Sequence, residues 1–418
     1  LFTGCDATTE SEQVDHQAVR SETRLDSTGD DSAQPSHGPG QTASSFAMKT
    51  QLLNDAHQLS VNGNPSEAVK ILTELLLKDE SDVEVIFHLA NATAATGRLS
   101  DAVLILDNVP QEHPQAGLPA LGQSAAWCVE LERYSEAEKR YRTLLSIVPD
   151  AAPALRQLAH LLNRQGRRHE AADLIRRLCL QGNVRQDELH ALMSLSNAMH
   201  DEIPKEPGLP RNDRGYWPIG NSGVARKKFE EQKYAEVVEL LRPVVTDATV
   251  QPAVFSFFGR AAAEAQDQRS FQWWLERTTP ELEQFSEYWA ALGTDLVMQG
   301  RFEEAIRALA EAVSRDPTDM RSLSRLRQSL LALGDFESAQ QFADRWTQVR
   351  DCLNDNNAVA SENPPNPDAL EKLIDRLQAL GRPLEAILWQ AIQQHYRQAS
   401  PAEKNRLNAA RQNLVSNG

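Results

Sequence analysis

Seven arginines crowd into residues 152–185: Arg156, Arg164, Arg167, Arg168, Arg176, Arg177 and Arg185. Only Glu170 and Asp173 oppose them, a local charge of +5 in a chain whose 59 acidic and 43 basic side chains leave −16 overall. Lys139, Arg140 and Arg142 lie just upstream. Guanidinium groups grip carboxylates and phosphates through paired N–H donors, so the stretch could dock an acidic peptide, a phosphate or a lipid head group. The plainer alternative is a solvated helix face whose long stems cover apolar surface. An acidic segment of a protein or peptide partner is the sharper expectation, with Arg176 and Arg177 as the positions that test it. The acidic balance of the whole chain opposes nonspecific nucleic-acid binding, which needs a net basic surface.

Catalytic chemistry has no visible carrier. The sequence holds no Gly-rich phosphate loop ending in Gly-Lys-Ser/Thr, no His-Glu-x-x-His, no Gly-x-Ser-x-Gly and no Cys-x-x-Cys. Neighbouring carboxylates such as Glu303 and Glu304 face apart on a helix and make no acid/base dyad. Cys128 and Cys179 fall at apolar helical positions and are expected as buried free thiols, while His57, His160 and His169 are scattered. The aromatic group Phe255, Phe257, Phe258, Phe271, Trp273 and Trp274 has helical spacing and is expected in the core. No enzymatic activity, metal or cofactor is expected.

The chain opens Leu1-Phe2-Thr3-Gly4-Cys5-Asp6. A large apolar residue, small residues and a Cys resemble the lipobox of bacterial lipoproteins, which implies that Cys5 carries lipid. Residues 1–47 hold eight acids (Asp6, Glu10, Glu12, Asp15, Glu22, Asp26, Asp30, Asp31) and two arginines (Arg20, Arg24), a net of −6. With so little apolar surface to bury, this segment is expected to be a disordered tether. Membrane contact is then expected only through the lipid, since no run of about 18 apolar residues exists. A bacterial cell-envelope location follows from the resemblance, with a cytoplasmic protein as the alternative.

These candidate residues must be positioned by helices. From residue 48 on, the sequence repeats. Ala68, Ala102, Ala137 and Ala171 recur at spacings of 34, 35 and 34, each preceded by a turn such as Gly63-Asn64 or Gly166-Arg167. The fullest unit is 286–319, with Trp289, Leu292-Gly293, Gly300-Arg301-Phe302, Ala305, Leu309, Ala312 and Asp316-Pro317. A second at 320–353 has Gly334-Asp335-Phe336 and Ala339, and a last pair at 367–397 has Gly381-Arg382 and Ala386. Degenerate units at 219–248 and 252–281 put Val237 and Phe271 at the alanine position. These residues resemble the tetratricopeptide repeat. The resemblance implies an all-α, superhelical solenoid of about nine antiparallel helix pairs, acting as a protein-interaction scaffold. It also implies that partners lie in a groove made by the first helix of each pair. Groove positions are then His57, Phe87, Asn91, Arg156, His160, Asn163, Arg164, Thr294, Met298 and Gln328. The family's Lys/Asn clamp for a C-terminal carboxylate is replaced here by Leu53 and His57, then Phe87 and Asn91.

Two segments interrupt the rhythm. Residues 200–222 contain Pro204, Pro207, Pro210 and Gly215-Tyr216-Trp217-Pro218. A helix–helix connection this long is unusual, and Tyr216 and Trp217 should dock, either back on neighbouring helices or on a partner. Residues 354–366, rich in Asn and Pro, are expected to be a spacer. The organisation expected is thus a tether at 1–47, repeats at 48–199, a loop at 200–222, repeats at 223–353, a linker at 354–366 and a final pair with a capping helix at 367–418. A regulatory or substrate-presenting subunit of an envelope enzyme complex is the rival to a free-standing scaffold, as is one helical module of a larger envelope protein.

Overall fold

The computed structural model describes residues 39–193, 217–247, 250–360 and 365–417. They form two compact units that divide after Thr96. The first holds α1 (Pro39–Val61), α2 (Pro65–Leu76) and α3 (Val83–Ala95). The second opens with α4 (Leu99–Leu106), α5 (Gly117–Glu130), α6 (Tyr134–Ile147), α7 (Ala152–Arg164), α8 (Arg168–Gln181) and α9 (Gln186–Leu192). It continues with α10 (Gly220–Glu230), α11 (Tyr234–Val245), α12 (Pro252–Glu264), α13 (Gln268–Leu275), α14 (Ser286–Met298) and α15 (Phe302–Arg315). It ends with α16 (Met320–Ala332), α17 (Phe336–Ala360), α18 (Pro367–Ala379), α19 (Pro383–Tyr396) and α20 (Pro401–Asn417). Among the described residues there is no strand, and no helix is long and apolar enough to cross a membrane.

One turn builds the helix pairs. The N–H groups of Asn64, Arg133, Arg167, Lys233, Asp267, Arg301, Asp335 and Arg382 each return to the carbonyl five residues back, at 2.8–3.0 Å. This bond satisfies a carbonyl left open at the helix end, and it requires the preceding residue to be left-handed. Gly occupies that place in five of these turns, with φ between +74° and +81°, while Glu132, Gln232 and Gln266 adopt φ of +61°, +60° and +56°. After the turn the second helix packs through its repeat alanine. Ala68, Ala102, Ala137, Ala171, Ala305, Ala339 and Ala386 are all buried, as are Val237 and Phe271 at the degenerate positions. Close approach is the reason for small side chains here. In α14, a Cβ on Gly293 would lie 2.6 Å from Leu309 Cγ of α15.

The degenerate pairs compensate with bulk. Phe229, Val237, Leu241, Phe257, Phe258, Phe271 and Trp274 form one core across α10–α14. Phe229 meets Phe257 edge-on at 5.3 Å, and Phe271 lies 5.3 Å from Trp274. Of the expected aromatic group, Trp273 alone is only partly buried, packed on the rim of this core.

Besides α1, which begins at Pro39 inside the stretch 1–47 expected as a disordered tether, two features depart from the sequence expectation. The spacer expected to begin at 354 does not, because α17 runs unbroken to Ala360. Val349, Cys352, Asn356 and Val359 are spaced by three or four residues and all buried, so tertiary burial overrides the weak helix propensity of the Asn/Asp-rich stretch. The other is a return of the chain upon itself. α9, a helix outside the repeat pattern, packs against α17 and α19, and α8 also touches α19. Arg411 of α20 donates to the carbonyl of Leu180 at 2.5 Å, at the end of α8.

Candidate functional site

The first-helix residues of the 152–185 repeat open onto a cleft of about 270 Å³. α7 supplies Arg156, Gln157, Ala159, His160 and Asn163, α8 supplies Ile175, and the far wall is Arg185, Asp187, Glu188 and Ala191. α7 has a strong apolar face (Leu155, Leu158, Leu162) that seats it on its neighbours, which leaves its polar face to the cleft. Arg156 Nε binds Glu188 Oε1 at 2.6 Å, and its Nη2 reaches the carbonyl of Asn183 at 2.6 Å. Glu188 Oε2 in turn accepts the N–H of Arg185 at 2.7 Å, fixing the start of α9. Asn163 is buried and accepts from Arg168, whose other nitrogen donates to the carbonyl of Ala191 at 2.7 Å. The lining therefore carries two arginines against two carboxylates. Its polarity comes without a net charge.

Cross-repeat ion pairs and backbone carbonyls together engage most of these arginines. Arg167 holds Glu138 at 2.6 Å and Glu170 at 2.7 Å, and Arg142 bridges the same two acids at 2.8 and 2.7 Å. Arg140 forks onto Asp107 at 2.6 and 3.0 Å. Arg176 pairs with Asp173 at 2.8 Å on an exposed face, and Arg177 donates to the carbonyl of Pro149. Arg164 is a groove residue in name only: it is buried, and its Nε donates to the carbonyl of Trp217 at 2.9 Å. A run that sums to +5 in sequence is thus largely neutralised by acids one repeat away or committed to carbonyls.

Trp217 is half-buried where the long connection rejoins the array, and Ile219 N–H donates to the carbonyl of Arg164 at 2.7 Å. This end of the connection folds back on α7. Tyr216 and Cys5 lie outside the described residues. In the first unit, His57 and Asn91 line one cleft of about 450 Å³ with Ser60 and His88, whereas Phe87 is half-buried beside it and does not line it. Thr294 is buried within α14, while Met298 and Gln328 are exposed.

Sequence reasoning missed a buried ionic cluster. Arg226 and Glu287 meet at 2.6 Å with almost no exposure of either, and His169 Nε2 lies 3.1 Å from the other carboxylate oxygen. Burial would raise the Glu287 pKa, but the charges of Arg226 and His169 hold it far below the usual carboxylate range. Burial likewise opposes charge on His169, and Glu287 overcomes it to raise that pKa. Arg226 Nε also donates to the carbonyl of Gly166 at 3.0 Å, and its guanidinium stacks 3.6 Å from the Phe257 ring centroid. Nearby, Arg260 and Asp319 form a second buried pair at 2.7 Å. These clusters join α8, α10, α12, α14 and the start of α16 and line neither cleft described above, which makes them struts.

Comparison with known proteins agrees with the helix pairs. A tetratricopeptide-repeat family profile matches residues 62–122 and 296–351, and a second profile of the same repeat matches 129–188. No curated protein matches the chain. Among solved structures, a tetratricopeptide repeat protein from Parabacteroides merdae is 13% identical, with 67% of this chain and 98% of that one covered and a TM-score of 0.30. The TPR2AB domain of yeast Sti1 in complex with pHSP90 is 12% identical, with coverages of 80% and 99% and a TM-score of 0.28. The human IFIT1 dimer with m7Gppp-AAAA is 13% identical, with coverages of 85% and 78% and a TM-score of 0.29. Similarities this low add nothing to the assignment, which stands on the profiles and on the recurring turn and alanine. Residues 62–122, 129–188 and 296–351 are tetratricopeptide repeats, and these repeats support an all-α scaffold for protein–protein interaction.

Proposed function

We propose that the cleft between α7 and α9 receives an extended segment of a partner protein, and that the chain works by binding and not by catalysis. The observation that supports this reading is the lining. It gathers Arg156, Gln157, His160, Arg185, Asp187 and Glu188 around one opening on the first helix of a repeat. Because these charges cancel, recognition rests on hydrogen bonds to peptide backbone and polar side chains more than on the partner's net charge. An acidic partner segment, which the arginine run suggests, has less to hold it than the sequence implies. Peptides selected from a random display library on the full chain test the reading. Arg156→Ala and His160→Ala should each weaken the selected peptides by about tenfold. Peptides that bind both variants like the wild type would refute it.

We further propose that the protein is an envelope lipoprotein held through Cys5, a reading that rests on Leu1-Phe2-Thr3-Gly4-Cys5 alone. Mass spectrometry of the protein from its native host decides it. An unmodified thiol at Cys5 removes the proposal.

A further inference from the structure

Asp187, Glu188 and Ala191 of the cleft's lining belong to α9, a helix of seven residues, and Arg185 caps it. An isolated helix shorter than about 12 residues is marginal in water, so α9 must be held by its surroundings. It is held from two sides. On the cleft side, Glu188 takes Arg156 at 2.6 Å, and Arg168 donates to the carbonyl of Ala191 at 2.7 Å. On the opposite side it meets helices from the last third of the chain. His190 Nδ1 lies 2.7 Å from Asn356 Oδ1 of α17, and the His190 ring meets Trp389 of α19 edge-on at 4.8 Å. Arg382, at the start of α19, donates to the carbonyl of Leu192 at 2.7 Å, while Glu385 fixes the same guanidinium at 2.6 Å.

We infer that Arg382 is a positioning residue for a cleft that it does not touch: α17–α19 build the cleft by docking α9. This rests on the reading of the cleft as the partner site. α9 is one rigid piece bonded to both sides, so whatever strengthens its hold on α7 strengthens its hold on α19. Occupancy of the cleft and docking of the C-terminal helices are therefore linked, and a ligand in the cleft is felt about 190 residues further along the chain.

Amide hydrogen exchange on the full, unliganded chain tests this. Arg382→Met keeps the apolar stem and removes the donor; it should speed exchange in residues 186–193 by about tenfold or more, and Arg382→Lys should restore most of the protection. The reciprocal variant, Arg156→Met on the cleft side, should loosen α19. Wild-type exchange of 186–193 in Arg382→Met, or of α19 in Arg156→Met, would overturn the inference. If circular dichroism shows that Arg382→Met melts the whole second unit, Asn356→Leu takes its place and the same two outcomes decide. No peptide enters the experiment. A cleft that captures no peptide would refute the functional reading and leave this linkage standing, and the reverse also holds.

Discussion

Arg226 and Glu287 face one another at 2.6 Å with about 2% and 1% of their side chains exposed, joining α10 to α14. Two charges removed from water this thoroughly stabilise little as a pair, but either one alone is costly to bury. Glu287→Ala, which leaves Arg226 uncompensated, should therefore destabilise the second unit by about 3–5 kcal/mol. Arg226→Met with Glu287→Leu should recover most of that loss. Denaturant melts of the wild type and the two variants check the ordering, and a double variant as damaged as Glu287→Ala would contradict it.

His169 and His190 act on stability in opposite senses. His169 has its pKa raised, because Glu287 outweighs burial; its contribution is full below the unfolded value of about 6.5 and is lost as pH rises through the folded value. His190 has its pKa lowered by burial, against a smaller pull from Asn356; its contribution is present above about 6.5 and is lost as pH falls through the folded value. Melting temperatures measured across this range should lose their alkaline-side decline in His169→Gln and their acid-side decline in His190→Gln. Parallel curves for the wild type and both variants would show that neither group carries linkage.

Gly259 lies against the indole of Trp274, and a Cβ there would sit 2.1 Å from Trp274 Cε2. Both are fixed in the aromatic core of α10–α14, so the ring has nowhere to retreat. Gly259→Ala should cost at least about 1–3 kcal/mol, the usual range for overpacking, although alanine is the better helix former. Thermal melts report it: an unchanged melt would mean that the site gives way.

Three of the eight turns named above hold a residue with a side chain where the other five hold glycine. Glu132, Gln232 and Gln266 each sit at φ near +60°, a conformation that costs a non-glycine residue about 1 kcal/mol or more. Replacing each with glycine should stabilise the chain, by up to about 1 kcal/mol apiece, less the added entropy of the unfolded chain. Thermal melts of the single and triple variants check both the sign and the additivity.

What was legible in the sequence was whatever recurs at a fixed offset. The repeat alanine and the residue before the i→i−5 turn announce every pair, even where Val237 or Phe271 replaces alanine, because packing at that contact leaves few alternatives. α9 and the far end of α17 were not legible. α9 is too short to show a period, and the Asn/Asp content of 353–357 masks the buried positions Cys352, Asn356 and Val359. The arginine run was misleading because charge was summed along the chain and not across repeats. Arg140 and Asp107 are 33 residues apart, Arg156 and Glu188 are 32, and Arg167 and Glu138 are 29. Opposite charges offset by nearly one repeat were the signal to look for. Arg226, Glu287, Arg260 and Asp319 offered none, since their partners lie 59 or more residues away.

The return of α19 and α20 onto α8 and α9 makes the second unit a counting device. An open row of repeats can gain or lose a member through duplication or deletion, since each pair touches only its neighbours. Here the helices from α10 to α16 must span one fixed gap, or Arg382 no longer reaches Leu192 and Arg411 no longer reaches Leu180. Descendants of this chain can change the exposed side chains of these pairs, but not the number of pairs.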